Sequence, residues 1–263
     1  MPPRSVEISP SILTAAPSEP EFRRRQSLTS TQPISSYRWF PVVMAAFVTT
    51  LVISNIIAVK LVGVGPVVLP AAVILFPITY IFGDVLTEVY GYARARLVIW
   101  TGFGCNLLAV VAIWLAGLLP PATVWTASAY PGPAGAQQAY QAILGFTPRL
   151  LAASFSAYLV GEFLNSFVLA RMKVATGGRW LWTRTIGSTL VGEGADSAIF
   201  ITAAFVGILP TAALGTTILS QWLVKSAYEA IATPLTYLVV NALKRAEGVD
   251  HFDRDTNFSP IVL

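Results

Sequence analysis

Five ionisable side chains lie inside apolar stretches that are long enough to cross a membrane. They are Glu162, Glu193, Asp196, Lys225 and Glu229. A charge near the centre of a bilayer costs about 2.5–3.5 kcal/mol on insertion scales, so such residues face a protein interior or a wet cavity. Side chains of this kind are typical of a transport or proton path.

Helical spacing places several of these side chains on shared faces. Glu193 and Asp196 are three residues apart, as are Glu162 and Asn165, so each pair lies on one face of its helix. Two carboxylates held this close in hydrocarbon require a proton, a cation or a ligand rich in hydrogen-bond donors. The spacing therefore predicts a bundle of helices around a polar centre.

The last apolar block carries a polar stripe. Gln221, Lys225 and Glu229 are successive i, i+4 neighbours, and this predicts an ion pair between Lys225 and Glu229. Earlier blocks carry two amides that could bind a ligand or join helices by hydrogen bonds. The predicted substrate-binding set comprises Glu193, Asp196, Glu162, Asn165, Lys225, Glu229, Asn55 and Asn106.

The composition is that of a membrane protein. Apolar residues make up 55% of the chain and charged residues 11%, against about 25% charged residues in soluble domains. Six blocks are long enough to supply the roughly 20 residues that a membrane helix needs. They are residues 39–59, 62–83, 97–119, 150–170, 185–209 and 216–240. The predicted fold class is all-α: a polytopic membrane protein with a bundle of six transmembrane helices.

Two features modify this scheme. Pro66, Pro70 and Pro77 fall in the second block, which predicts a broken or partly re-entrant span. The segment 120–148 carries no charged residue, and its portion 134–144 is expected to form a short helix at the membrane interface. That segment is either a lid or a passive connector.

Positive charge predicts the orientation. Of 17 lysines and arginines, 14 fall on one side of the six-span scheme, only Lys60 and Arg149 fall on the other, and Lys225 lies within a span. Both termini are therefore expected in the cytoplasm.

The predicted domains are a disordered cytoplasmic tail (1–37), a six-helix transporter domain (38–245) and a cytoplasmic C-terminal tail (246–263). Topology explains the net charge of +4, so no nucleic-acid partner is predicted.

A second group of charges follows the second block. Asp84 and Glu88 are one helical turn apart, and Arg94 and Arg96 come shortly afterwards. These four residues form either an inner gate or a solvated helix end. The single cysteine, Cys105, excludes an internal disulfide and a cysteine-clustered metal site. We predict no metal, no cofactor and no catalytic residue.

Several polar motifs are similar to those of one family. They are Ser54 to Lys60, Phe76 to Tyr80 with Asp84, Glu88, Tyr90 and Gly91, Gly161-Glu162-Phe163-Leu164-Asn165, and Gly192-Glu193-Gly194-Ala195-Asp196-Ser197. Over about residues 39–245 the chain resembles the queuosine-precursor transporters, also called vitamin-uptake transporters. The resemblance implies a six-span protein of the bacterial inner membrane. Its implied substrate is a 7-deazaguanine base, chiefly 7-cyano-7-deazaguanine and secondarily 7-aminomethyl-7-deazaguanine, salvaged for queuosine in tRNA.

Other mechanisms stay open at this point. The chain has no phosphate-binding loop of the form GxxxxGK[ST], so it cannot hydrolyse ATP by that route. The alternatives are facilitated diffusion, proton coupling through Glu193 or Asp196, or service as the substrate-binding subunit of a vitamin importer with a separate ATPase. We expect a stand-alone carrier and leave a homo-oligomer open. A different class, an intramembrane aspartyl hydrolase, would use Asp84 and Asp196 as its catalytic pair.

Overall fold

The computed structural model describes residues 37–64, 67–127, 129–145 and 148–262. Apart from Tyr37, the predicted tail of residues 1–37 lies outside this part. The described part contains these α-helices: α1 Phe40–Ile57, α2 Phe76–Val85, α3 Tyr92–Leu118, α4 Gly132–Leu144, α5 Pro148–Ala175, α6 Leu181–Phe205 and α7 Thr211–Glu247. The all-α prediction is confirmed.

The second predicted span is broken. A small antiparallel hairpin, β1 Leu61–Val64 and β2 Val67–Pro70, is followed by a 3-10 turn, Ala71–Ile74, and only then by the 10-residue α2. A proline occupies the first turn of α2, where its missing N–H leaves no hydrogen bond unmade. A π-helical turn, Leu86–Tyr90, continues the chain beyond α2. The break that the prolines predict in this block is therefore confirmed.

Polarity is distributed as in a membrane protein. Large apolar side chains such as Leu108, Trp114 and Ile231 are exposed, while polar ones such as Glu88 and Asn165 are buried. Among the residues that the structure describes, three stretches are long and apolar enough to cross a membrane: Phe40–Ile57, Tyr92–Leu118 and Gly132–Ala175, which includes α5. Helices α6 and α7, with 25 and 37 residues, also exceed the required length of about 20 residues. Their polar side chains lower their mean hydropathy.

Helix packing brings four elements to one centre. The contact between α5 and α6 is the most extensive, followed by that between α6 and α7, and α2 packs against both α5 and α7. Beside this centre, a hydrophobic core joins α1, α2, α3 and α7 through Phe40, Phe47, Val85, Val98 and Val240.

The predicted C-terminal tail packs along the start of α3. Both carboxylate oxygens of Asp253 accept the backbone N–H of Tyr92, at 3.1 and 3.0 Å. The Arg96 guanidinium donates to the carbonyls of Asn257 and Ser259, at 2.9 and 2.6 Å. Residues 249–262 thus form a strap across this end of the bundle, which we call the C-terminal strap.

At the opposite end, α4 packs against the end of α3. The Gln137 amide donates to the Gly117 carbonyl, and the Tyr140 hydroxyl donates to the Ile113 carbonyl, both at 2.8 Å. The prediction of a helix within residues 134–144 is confirmed.

Candidate functional site

Helices α5 and α6 meet at two sequences of the same form, Gly161-Glu162-x-x-Asn165 and Gly192-Glu193-x-x-Asp196. A Cβ atom at Gly161 would lie 2.9 Å from the Cβ atom of Asp196. One at Gly192 would lie 2.8 Å from the Cβ atom of Asn165. Each glycine thus makes room for the polar residue of the opposite helix, as small residues do at tight membrane-helix contacts.

Lys225 on α7 joins this contact from the side. Its ammonium lies 2.9 Å from Glu193 Oε2 and 2.5 Å from Asp196 Oδ2. The predicted ion pair with Glu229 is wrong in its partner. Residues at i and i+4 share a helix face, but the face of α7 that carries Lys225 packs against α6, and two carboxylates of α6 compete for the ammonium.

A second contact comes from α2. Asp84 Oδ1 accepts a hydrogen bond of 3.0 Å from the Asn165 amide. Glu162 Oε2 lies 3.1 Å from the position of a Cβ atom at Gly83, directly before Asp84. Tyr80, one turn earlier on α2, is hydrogen-bonded to Glu193. Asp84 therefore lies beside the predicted substrate-binding residues Glu162 and Asn165.

Glu229 completes the group from α7. Its side chain is 2% exposed and lies within electrostatic range of Asp84, Glu162 and Glu193. We name the whole group the central cluster: Tyr80, Asp84, Glu162, Asn165, Glu193, Asp196, Lys225 and Glu229. Its acids and Asn165 are at most 8% exposed.

Two predicted site residues, Asn55 and Asn106, lie on α1 and α3, which are not helices of the central cluster. The Asn55 amide donates to the Leu51 carbonyl of its own helix, at 3.1 Å. Asn106 is buried in α3, at 6% exposure. The other six predicted residues lie on α5, α6 and α7.

Glu88 forms a separate cluster at the end of the bundle that carries the strap. Arg184 donates to both of its oxygens at 2.8 Å, the Lys244 ammonium lies 2.5 Å from Oε1, and the Lys173 ammonium lies 3.4 Å from the same oxygen. Asp250 of the strap contacts Lys173 at 2.5 Å and Lys244 at 2.8 Å. We call these five residues the Glu88 network.

The two arginines predicted to accompany Glu88 lie elsewhere. The Arg94 guanidinium stacks over the Tyr37 ring and donates to the Tyr90 carbonyl, and Arg96 holds the strap. Basic partners for Glu88 come instead from α5, α6 and α7. Burial alone would raise the pKa of Asp250, but Lys173 and Lys244 outweigh it and lower that pKa.

Sequence reasoning missed Tyr80, Lys173, Arg184, Lys244 and Asp250. The three basic residues were interpreted as flanking charges that set the topology. A basic partner for Glu88 could have been predicted, because a carboxylate in an apolar turn requires one. Nothing in the spacing identifies which of the 14 flanking charges that partner is.

The central cluster offers acceptors, one ammonium and one amide in a buried position. Among the residues that the structure describes, no group of three or more histidines, cysteines, aspartates or glutamates could hold a metal ion. Asp84 and Asp196, the pair considered for a hydrolase, have Asn165 and Lys225 as their polar partners. The arrangement suits recognition of a polar organic molecule inside a membrane.

Comparison with known proteins decides the family. The family model described as "Putative vitamin uptake transporter" matches residues 70–239. The chain belongs to this family. The matched segment contains every residue of the central cluster, and membership makes the protein a membrane transporter.

One curated relative extends the comparison. The chain is 29% identical over 187 residues to a protein of Bacillus subtilis (strain 168) named "Probable queuosine precursor transporter". The aligned part covers 71% of this chain and 78% of the relative. No solved structure matches the chain.

Proposed function

We propose that this transporter imports 7-deazaguanine precursors of queuosine across the bacterial inner membrane, with the central cluster as the substrate site. The observation that carries the proposal is the convergence of five carboxyl groups, an amide and an ammonium from α2, α5, α6 and α7. Placing these ionisable groups in the interior of a membrane protein costs free energy. Binding of a transported polar ligand would explain why they are there.

A 7-deazaguanine base matches the chemistry of the cluster. Its ring N–H and exocyclic amine stand side by side, so that one carboxylate accepts both. Its carbonyl oxygen requires a donor, which Lys225 or the Asn165 amide supplies. We assign Glu193 and Asp196 as acceptors for the N–H edge. Family membership and the name of the B. subtilis relative are the comparisons that support this substrate.

For the rest of the mechanism we propose a stand-alone carrier with both termini in the cytoplasm. The distribution of 14 flanking positive charges against two supports this orientation. The Glu88 network then lies at the cytoplasmic end, where it acts as an inner gate. Its links between α5, α6, α7 and the strap would have to break for that end to open.

The test is rescue of queuosine in tRNA. A bacterium that can neither make queuosine precursors nor import them is given the gene and a low external concentration of 7-cyano- or 7-aminomethyl-7-deazaguanine. We expect queuosine to reappear in tRNA at concentrations where passive entry is too slow. Lys60→Met, at an exposed lysine, is the matched control for Lys225→Met.

Two results are informative. Full rescue by Lys60→Met, together with loss of rescue by Lys225→Met at equal protein level, supports the assigned site. Absence of rescue by the wild-type protein with either base, while another base or vitamin enters, would overturn the substrate assignment.

A further inference from the structure

The central cluster has more acceptors than donors. Besides Glu193 Oε2, which has Lys225 as its charge partner, four buried oxygens in it have no hydrogen-bond partner within the described part of the chain; they are Asp84 Oδ2, Glu162 Oε2, Asn165 Oδ1 and Glu229 Oε1. Their parent residues are at most 2% exposed. A buried acceptor without a partner carries the full cost of its lost hydration, so each of these oxygens calls for a donor.

These four oxygens belong to one place. Asp84 and Asn165 are joined by a hydrogen bond, and Glu162 Oε2 lies beside Gly83, the neighbour of Asp84 in the chain. Glu229 approaches from α7, within electrostatic range of Asp84 and Glu162. A single ligand can therefore reach several of them.

The ion pairs of the central cluster also indicate a ligand with a positive group. The ammonium of Lys225 contacts two carboxylates, Glu193 and Asp196. The ion pairs of the described residues give Asp84, Glu162 and Glu229 no basic partner. The carboxyl groups of Asp84, Glu162 and Glu229 therefore need either a proton or a positive ligand group to balance their charge.

The two precursor bases differ in this respect. A cyano substituent is neutral and adds one more acceptor. An aminomethyl substituent is an ammonium at neutral pH and adds three N–H donors and a positive charge. We infer that the site selects the cationic 7-aminomethyl base over the neutral 7-cyano base, and that Asp84, Glu162 and Glu229 bind the ammonium. This inference rests on the proposed function.

The experiment measures uptake of each labelled base at the same low concentration, by purified protein in lipid vesicles at pH 7. We expect the aminomethyl base to enter at least about tenfold more efficiently, which one charge-assisted hydrogen bond can supply. Glu229→Gln keeps the size of the side chain and removes its charge. It should lower the ratio of aminomethyl to cyano uptake about tenfold. Asp255→Asn, at an exposed acid, is the control and should leave the ratio unchanged.

Each outcome is decisive. A proportional loss of both activities in Glu229→Gln would mean a structural role and would overturn the assigned role of this residue. Equal uptake of the two bases, or preference for the cyano base, would overturn the inference while the proposed function stands. Uptake of neither base would instead contradict the proposed function.

Discussion

A Cβ atom at Gly192 would lie 2.9 Å from the carbonyl oxygen of Gly161, so the backbones of α5 and α6 touch where the acidic residues begin. This contact sets the separation of the two helices. The positions of Glu162 and Asn165 relative to Glu193 and Asp196 depend on it.

Gly192→Ala is therefore expected to destabilise the protein. The new methyl group meets both the Asn165 Cβ atom and the Gly161 carbonyl oxygen, and overpacking of this kind costs about 1–3 kcal/mol. Thermal unfolding in detergent measures the loss. Gly104→Ala is the matched control, because that glycine lies in α3 and a Cβ atom there meets nothing within 4 Å. Equal melting temperatures of the two variants would contradict the tight contact.

Glu193→Gln and Asp196→Asn should impair transport more than they impair folding. Each amide keeps the shape of the acid and removes a charge from the membrane interior, so insertion is as easy or easier. Lys225 then loses part of its charge compensation and the site changes its ligand preference. Uptake is measured at equal protein level in the membrane. Normal uptake by both variants would remove these acids from the site.

Glu88→Gln should be among the most damaging single changes in the chain. It leaves the Arg184 and Lys173 side chains, both 1% exposed, without their shared carboxylate, and breaking a buried pair costs about 3–5 kcal/mol. Thermal unfolding of Glu88→Gln, Arg184→Met and the double variant gives the coupling energy. Additive effects of the two changes would mean that the pair contributes no interaction of its own.

The C-terminal strap should make the free energy of unfolding depend on pH in the acidic range. Burial alone would raise the pKa of Asp253, but hydrogen bonds from His251, Thr256 and the Tyr92 N–H outweigh it and hold that pKa below its ordinary value of 3.8. Because the folded state lowers this pKa, the stabilisation is present at neutral pH and is lost as the pH falls below about 4.

Asp253→Asn should accordingly cost about 1 kcal/mol at pH 7, the usual value of a lost helix cap, and much less below about pH 3. Unfolding temperatures across this range measure the effect. The exposed Asp255→Asn should follow the wild-type curve. A pH-independent difference between Asp253→Asn and wild type would exclude an ionised cap.

Reporter fusions test the orientation. Fusions after Arg245 and near Gly178 should report the cytoplasm, and one near Gly132 should report the outer side, because 14 flanking positive charges lie on the first side. An outer signal after Arg245 would break the six-span scheme.

The sequence was sufficient for much of the fold and part of the site. Composition indicated an all-α membrane protein, the prolines predicted the break in the second block, and the three-residue spacing put Glu193 and Asp196 on one face. Periodicity says which residues share a face, however, and not which helix lies opposite. The partner of Lys225 was therefore wrong. The partners of Glu88, 85 to 156 residues away, were not predicted for the same reason.

The position of Asp253 has a consequence for biogenesis. The first amide of α3 is capped by a carboxylate 161 residues later in the chain, so the ribosome delivers the helix long before its cap. Helix α3 must therefore enter the bilayer uncapped and wait until Asp253 has been synthesised. We expect chains truncated before Asp253 to be degraded faster than chains that include the C-terminal strap in a pulse-chase experiment, because only the strap closes this end and hides it from membrane quality-control proteases.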